Sequence, residues 1–127
     1  MTEVTLAREL RGGDVVMTLA GEVDLANVGD VAIDLRHEVW QTARALVLDL
    51  RAVSYLDSAG VRLLFDLADR LHGLGRELVI VARPGSLLAN VLRMVALDRV
   101  VVVAHEVDAG LALVDGRTDE DGAPPVA

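Results

Sequence analysis

A chain of 127 residues fits one domain, and a fold of that length buries roughly two-thirds of the surface its unfolded form exposes. Its formal net charge is -8, and every basic residue is Arg, with no Lys. That balance works against nucleic acid and anionic membrane, which are held by clustered cations, and it excludes a Walker-type phosphate loop, a Schiff base and a lysine general base.

Cysteine is absent, which removes disulfides, thiolate metal sites and a cysteine nucleophile. The chain is 53% hydrophobic, yet Trp40, Tyr55 and Phe65 are its only aromatics. The core must therefore be aliphatic, and no platform for stacking bases is available. Met1 to Leu10 carries Glu3, Arg8 and Glu9 where a signal peptide needs an apolar run, and no stretch reaches the ~18 apolar residues of a membrane span. A cytoplasmic location is the expectation.

In chain order, Val4 and Leu6 alternate with Thr5 and Ala7, Gly12-Gly13 offers a turn, and Val15 to Ala20 is apolar, so the chain opens with a hairpin. Leu25, Val28, Ala32, Leu35 and Val39 recur at helical spacing, predicting a helix to about Trp40 with Asp24 as its cap. Ala45 to Leu50 is a nearly continuous apolar run, as in a strand covered on both faces. Val61, Leu64, Phe65, Ala68 and Leu71 form a second helical stripe, with Arg62, Asp66 and Arg70 on its wet side and Gly73 and Gly75 at its end.

Leu78 to Ala82 is another buried strand. Pro84 marks the start of a helix with Leu87, Leu88, Val91, Leu92 and Val95 on one face. Val100 to Val103 reads as the last strand, and a helix from Glu106 to about Val114 closes a domain spanning residues 1–115. Residues 116–127, acidic and ending in prolines, read as a disordered tail. The order is ββαβαβαβα, an α/β fold with a mixed sheet of about five strands and about four helices.

The most informative stretch is Leu46 to Leu64, where a buried strand and a short turn lead into Asp57-Ser58-Ala59-Gly60 at a helix start. Together with Gly21-Glu22-Val23-Asp24 after the second strand, it resembles the STAS domain of bacterial anti-sigma factor antagonists, whose hallmark is an Asp-Ser-small-Gly sequence at the start of the second long helix. The likeness covers about Val4 to Val114. One departure is Ala96, where family members often carry Gly.

The resemblance implies a cycle. The unphosphorylated module binds an anti-sigma factor, a serine kinase with a histidine-kinase-like ATPase fold, and frees a sigma factor; phosphorylation at Ser58 ends the complex, and a serine phosphatase resets it. It also implies partner contacts at Glu22, Asp24, Asp57, Ser58, Ala59 and Gly60, with no catalysis, cofactor or metal. The same fold also serves as a non-switching regulatory or scaffold subunit, in lipid transport complexes or stress-signalling assemblies. Apolar residues left exposed on the first two helices would allow a homodimer.

Residue chemistry alone also admits plainer roles. Asp57 or Ser58 serves equally as a helix cap, Gly60 as a close-packing position, Asp24 as a cap and Ser54 as a turn residue. His37, His72 and His105 lack metal-ligand spacing and read as surface residues. Ser58 sits in no Gly-x-Ser-x-Gly elbow, which argues against a hydrolase triad.

Overall fold

The computed structural model describes the backbone of residues 3–120 and the side chains of residues 3–115. Strands β1 (Val4–Arg11), β2 (Asp14–Val23), β3 (Ala45–Leu56), β4 (Glu77–Val81) and β5 (Val102–Ala104) form one sheet in the order β1-β2-β3-β4-β5. The β1–β2 hairpin is antiparallel and turns at Gly12, whose φ of 62° favours glycine; the remaining pairings are parallel. Helices α1 (Val28–Gln41), α2 (Ser58–Gly73), α3 (Leu87–Met94) and α4 (Val107–Glu120) connect or close them. The expected element order and the mixed sheet are borne out.

Alternation along the strands divides the core into two layers. Leu46, Leu48 and Leu50 of β3 and Leu78 and Ile80 of β4 face Val31, Leu35 and Val39 of α1, Leu63, Leu64, Leu67 and Leu71 of α2, and Leu92 of α3. On the other side Val47, Val79, Val81 and Val102 pack under Val107, Leu111 and Val114 of α4. Both faces of β3 and β4 are thus covered, which is why their sequences read as unbroken apolar runs.

The ends of the sheet are fixed by polar contacts. Asp14, 4% exposed, accepts from Arg44 Nε at 3.0 Å, from Arg44 Nη2 at 2.5 Å and from the Ala45 amide at 3.1 Å. Arg44 also pairs with Asp115 and so reaches α4. Arg8 of β1 donates to the buried Glu38 of α1 at 2.8 Å. At Gly21, with φ 112°, an added Cβ would lie 2.1 Å from the Glu3 carbonyl, so the close approach of β1 excludes any side chain there.

Several boundaries depart from the sequence expectation. The cap of α1 is Asn27, not Asp24, because a turn over residues 24–27 intervenes; Leu25 lies in that turn, 78% exposed, outside the buried stripe. Strand β3 runs on to Leu56, six residues past Leu50, because β2 keeps pairing with it through Glu22↔Tyr55 and Val23↔Leu56. Pro84 precedes α3 in a turn with Gly85, and Ser86 is the cap, its Oγ accepting from Ala89 N at 3.1 Å. Of the α3 stripe only Leu92 is fully buried; Leu87 is 75% exposed.

A 3-10 turn at Leu97–Arg99 delays β5 to Val102. Helix α4 continues to Glu120, past the expected end at Val114, as no proline interrupts it; residues 121–127 of the expected tail lie outside the described residues.

Among the described residues, Ala96 is the non-glycine residue with positive φ, at 60°, and it joins α3 to the 3-10 turn. The left-handed conformation brings its Cβ against the following carbonyl. Ala96→Gly is expected to raise the unfolding free energy by about 0.5–1 kcal/mol, the relief of that clash exceeding the added freedom of the unfolded chain. Urea denaturation measures it; a variant less stable than the parent would contradict the reading.

Candidate functional site

The site is built where β2 and β3 end side by side. Asp57 has extended backbone and its amide donates to the Val23 carbonyl at 3.2 Å, extending the β2–β3 pairing by one bond. Its Oδ1 accepts from the amides of Ala59 at 2.9 Å and Gly60 at 3.1 Å, the arrangement of a helix cap. Its Oδ2 accepts from the amide of Leu25 at 3.0 Å, in the loop before α1. One carboxylate therefore caps α2 and clamps the β2–α1 loop against it. Of the two candidates for the cap, Asp57 takes the role.

Ser58 is thereby released from structural duty. It is the first residue of α2, its side chain is exposed, and its hydroxyl makes no hydrogen bond among the described residues. Gly60 is buried, and a Cβ there would stand 2.4 Å from Leu56 Cδ1 and 2.9 Å from Leu56 Cγ. The glycine lets the first turn of α2 sit directly on the end of β3, which sets the height of Ser58 above the sheet.

Glu22 and Asp24 belong to the same end of the sheet. The Glu22 carbonyl accepts from Asn27 Nδ2 at 2.7 Å, Asp24 N donates to Asn27 Oδ1 at 3.0 Å, and Asp24 Oδ1 accepts from the Ala26 amide at 2.9 Å. Asp24 thus shapes the loop that Asp57 holds. The fold brings together all six residues singled out from the sequence. Asn27, which orders this loop, was not singled out, although Asn at a helix entry is a capping signal.

Ser54 is corrected from turn residue to strand residue: it lies in β3, and its Oγ donates to the Gly21 carbonyl at 3.3 Å. Beside it a groove of ≈ 260 Å³ opens between the end of β3 and α3, its walls including Arg51, Tyr55, Arg83 and Leu87. The groove joins two segments far apart in the chain, residues 50–56 and 83–91, and no local pattern announces it.

Arg51 is held by Asp49, with Nε to Oδ1 at 2.9 Å and Nη2 to Oδ2 at 2.7 Å. Burial pushes the Asp49 carboxyl up, but the Arg51 hydrogen bonds outweigh it and keep it below the ordinary carboxylate range. The lowered value means that this pair's stabilisation is complete above the ordinary range and is lost as pH falls through and below it. The charge of Arg83, across the groove, lowers the same carboxyl further.

No group of three or more His, Asp or Glu side chains among the described residues is placed to hold a metal ion. No helix among them is long and apolar enough to cross a membrane.

The family model for the STAS domain matches residues 5–110, and the chain belongs to that family. Among characterised relatives it is similar to the anti-sigma-F factor antagonist RsfB of Mycobacterium tuberculosis, 28% identical over 96 residues that cover 76% of this chain and 77% of the relative.

Among solved structures, an anti-sigma factor antagonist from Mycobacterium paratuberculosis superposes with a TM-score of 0.81 at 26% identity, covering 89% of this chain and 95% of that one. The anti-sigma factor antagonist SpoIIAA in its unphosphorylated form has the same fold, with a TM-score of 0.72 at 20% identity over 88% of this chain and 97% of that one. The expected STAS fold and its likeness to anti-sigma factor antagonists are borne out.

The clamp at Asp57 yields a direct expectation. Asp57→Ala should lower the unfolding free energy by about 1–2 kcal/mol through loss of the cap. It should also release the Leu25 amide to faster hydrogen exchange. Unchanged exchange at Leu25, read by NMR, would mean that the carboxylate does not tie the loop to the helix.

Proposed function

We propose that this protein is an anti-sigma factor antagonist: a cytoplasmic binding module, not an enzyme, whose unphosphorylated form binds an anti-sigma factor serine kinase and is switched off by phosphorylation of Ser58. The observation that carries the reading is the division of labour at the start of α2. Asp57 accepts from the Ala59, Gly60 and Leu25 amides, while the neighbouring Ser58 hydroxyl is exposed and structurally idle. A serine that served as the cap would be withdrawn from an attacking kinase; this one is presented to it.

The kinase would contact the surface that surrounds the hydroxyl, formed by Glu22, Asp24 and Asp57 to Gly60. A phosphoryl group on Ser58 adds about -1.5 to -2 charges. Helix N-termini ordinarily welcome such a group through free amides, but here Ala59 N and Gly60 N are already taken by Asp57. The phosphate would therefore stand beside a carboxylate with little backbone compensation, apart from Arg62, exposed one turn further along α2. Within a docked interface that charge costs several kcal/mol in repulsion and desolvation, and each ~1.4 kcal/mol is tenfold in affinity. A serine phosphatase would reset the cycle.

The test is intact-mass analysis with phosphosite mapping after the protein is mixed with candidate anti-sigma kinases and ATP, paired with calorimetric binding of Ser58→Ala and Ser58→Asp. One phosphate on Ser58, tight binding by Ser58→Ala and at least about hundredfold weaker binding by Ser58→Asp are expected. Equal binding by Ser58→Asp would refute the switch. A chain unmodified by every kinase, and recovered from its cell with a transporter ATPase, would be a scaffold or regulatory subunit instead.

A further inference from the structure

Along the outer side of α1 and at the C-terminal end of α2, large apolar side chains are exposed to solvent. Ile33 is 67% exposed and Trp40 71%, on one helix seven residues apart; Leu74, just past α2, is 40% exposed. Seven residues of α-helix span about 10.5 Å. Between the C-terminal halves of the two helices lies a groove of ≈ 300 Å³ lined by Val39, Trp40, Gly73 and Leu74, with Arg36, Asp69 and Arg70 at its edge. A Cβ on Gly73 would meet nothing within 4 Å, so its wall is open to an incoming group.

The geometry points to a second copy of this chain as the occupant of that groove, in a two-fold dimer built on α1. The knob and one wall of the hole lie on the same helix: antiparallel apposition about the segment between Ile33 and Trp40 puts each Ile33 over the other copy's groove beside Trp40. Both contacts form at once, so the interface closes on itself and does not propagate.

Charge supports the same occupant. A chain of net charge -8 repels its own copy unless the contact is locally balanced. The rim of the groove is balanced, since Arg36 and Arg70 share Asp66 at 3.2 and 2.9 Å and Asp69 adds a carboxylate there, while the exposed Asp30 and Asp34 flank Ile33, the side chain that enters the other copy's groove between its arginines. Two-signed rims are what a surface needs to face itself, because each arginine then meets an acid of the other copy. Ser58 begins α2 and Gly73 ends it, about 22 Å apart along the helix. The groove therefore lies at the end of α2 away from the proposed switch.

Sedimentation velocity on the full chain from about 1 µM to about 1 mM, with Trp40 emission recorded on the same samples, tests this. The mass should rise to that of two chains while the emission of the single tryptophan moves to shorter wavelength. Ile33→Glu and Trp40→Ala, both at exposed positions that leave folding intact, should each weaken association at least about tenfold. A chain that stays monomeric throughout, or a dimer indifferent to both substitutions, would overturn the assignment. Neither result bears on phosphorylation of Ser58, which is read separately.

Discussion

Burial of β3 on both faces is the constraint from which the rest follows. Ala45 to Leu50 are all buried, with β2 pairing on one edge and β4 on the other. Such a strand leaves no face for water, so helices must lie on both sides, and parallel neighbours require helical crossovers to return the chain. The three crossover helices share one face and α4 alone covers the other. The one charged side chain in that buried run, Asp49, survives there because Arg51 forks onto it.

The same strand delivers the candidate site. Beyond Leu50 it emerges from the core yet keeps its pairing with β2 to Leu56, so Asp57 arrives beside the end of β2 in a fixed register. Capping then needs no further adaptation: the carboxylate reaches Ala59 and Gly60 on its own helix and Leu25 on the neighbouring loop. Paired strands and a close helix start, permitted by Gly60, place an exposed hydroxyl at a defined point. That arrangement suits recognition by another protein, in which the scaffold contributes position and the partner the chemistry.

Charge is distributed to match. An overall negative surface keeps the chain soluble, while the two ends of the α1–α2 layer differ. Near Ser58 the carboxylates of Asp24 and Asp57 are engaged with backbone amides, leaving their field to act on whatever is added to the hydroxyl. At the far end arginines and carboxylates interleave around Trp40. The two ends of this layer thus differ in character, one acidic and the other of mixed charge.

Composition and periodicity by themselves determined the class of fold, the order of its elements and the buried strands, because burial writes its period directly into apolar spacing, while the Asp57–Gly60 motif at the start of α2 stood out through its resemblance to a family. The resemblance to the family marked Ala96 as a departure, and its φ of 60° gave the reason that position favours Gly. What the sequence left undecided was which of two adjacent polar residues caps α2, since Asp and Ser do so equally well in isolation. Only the tertiary structure resolved it, by placing the Leu25 amide, 32 residues away in the chain, within reach of Asp57. The run of β3 to Leu56, the groove beside Tyr55 and the exposure of Trp40 were decided in the same way: each depends on what lies across from a residue in space, and a periodic pattern along the chain carries no record of that.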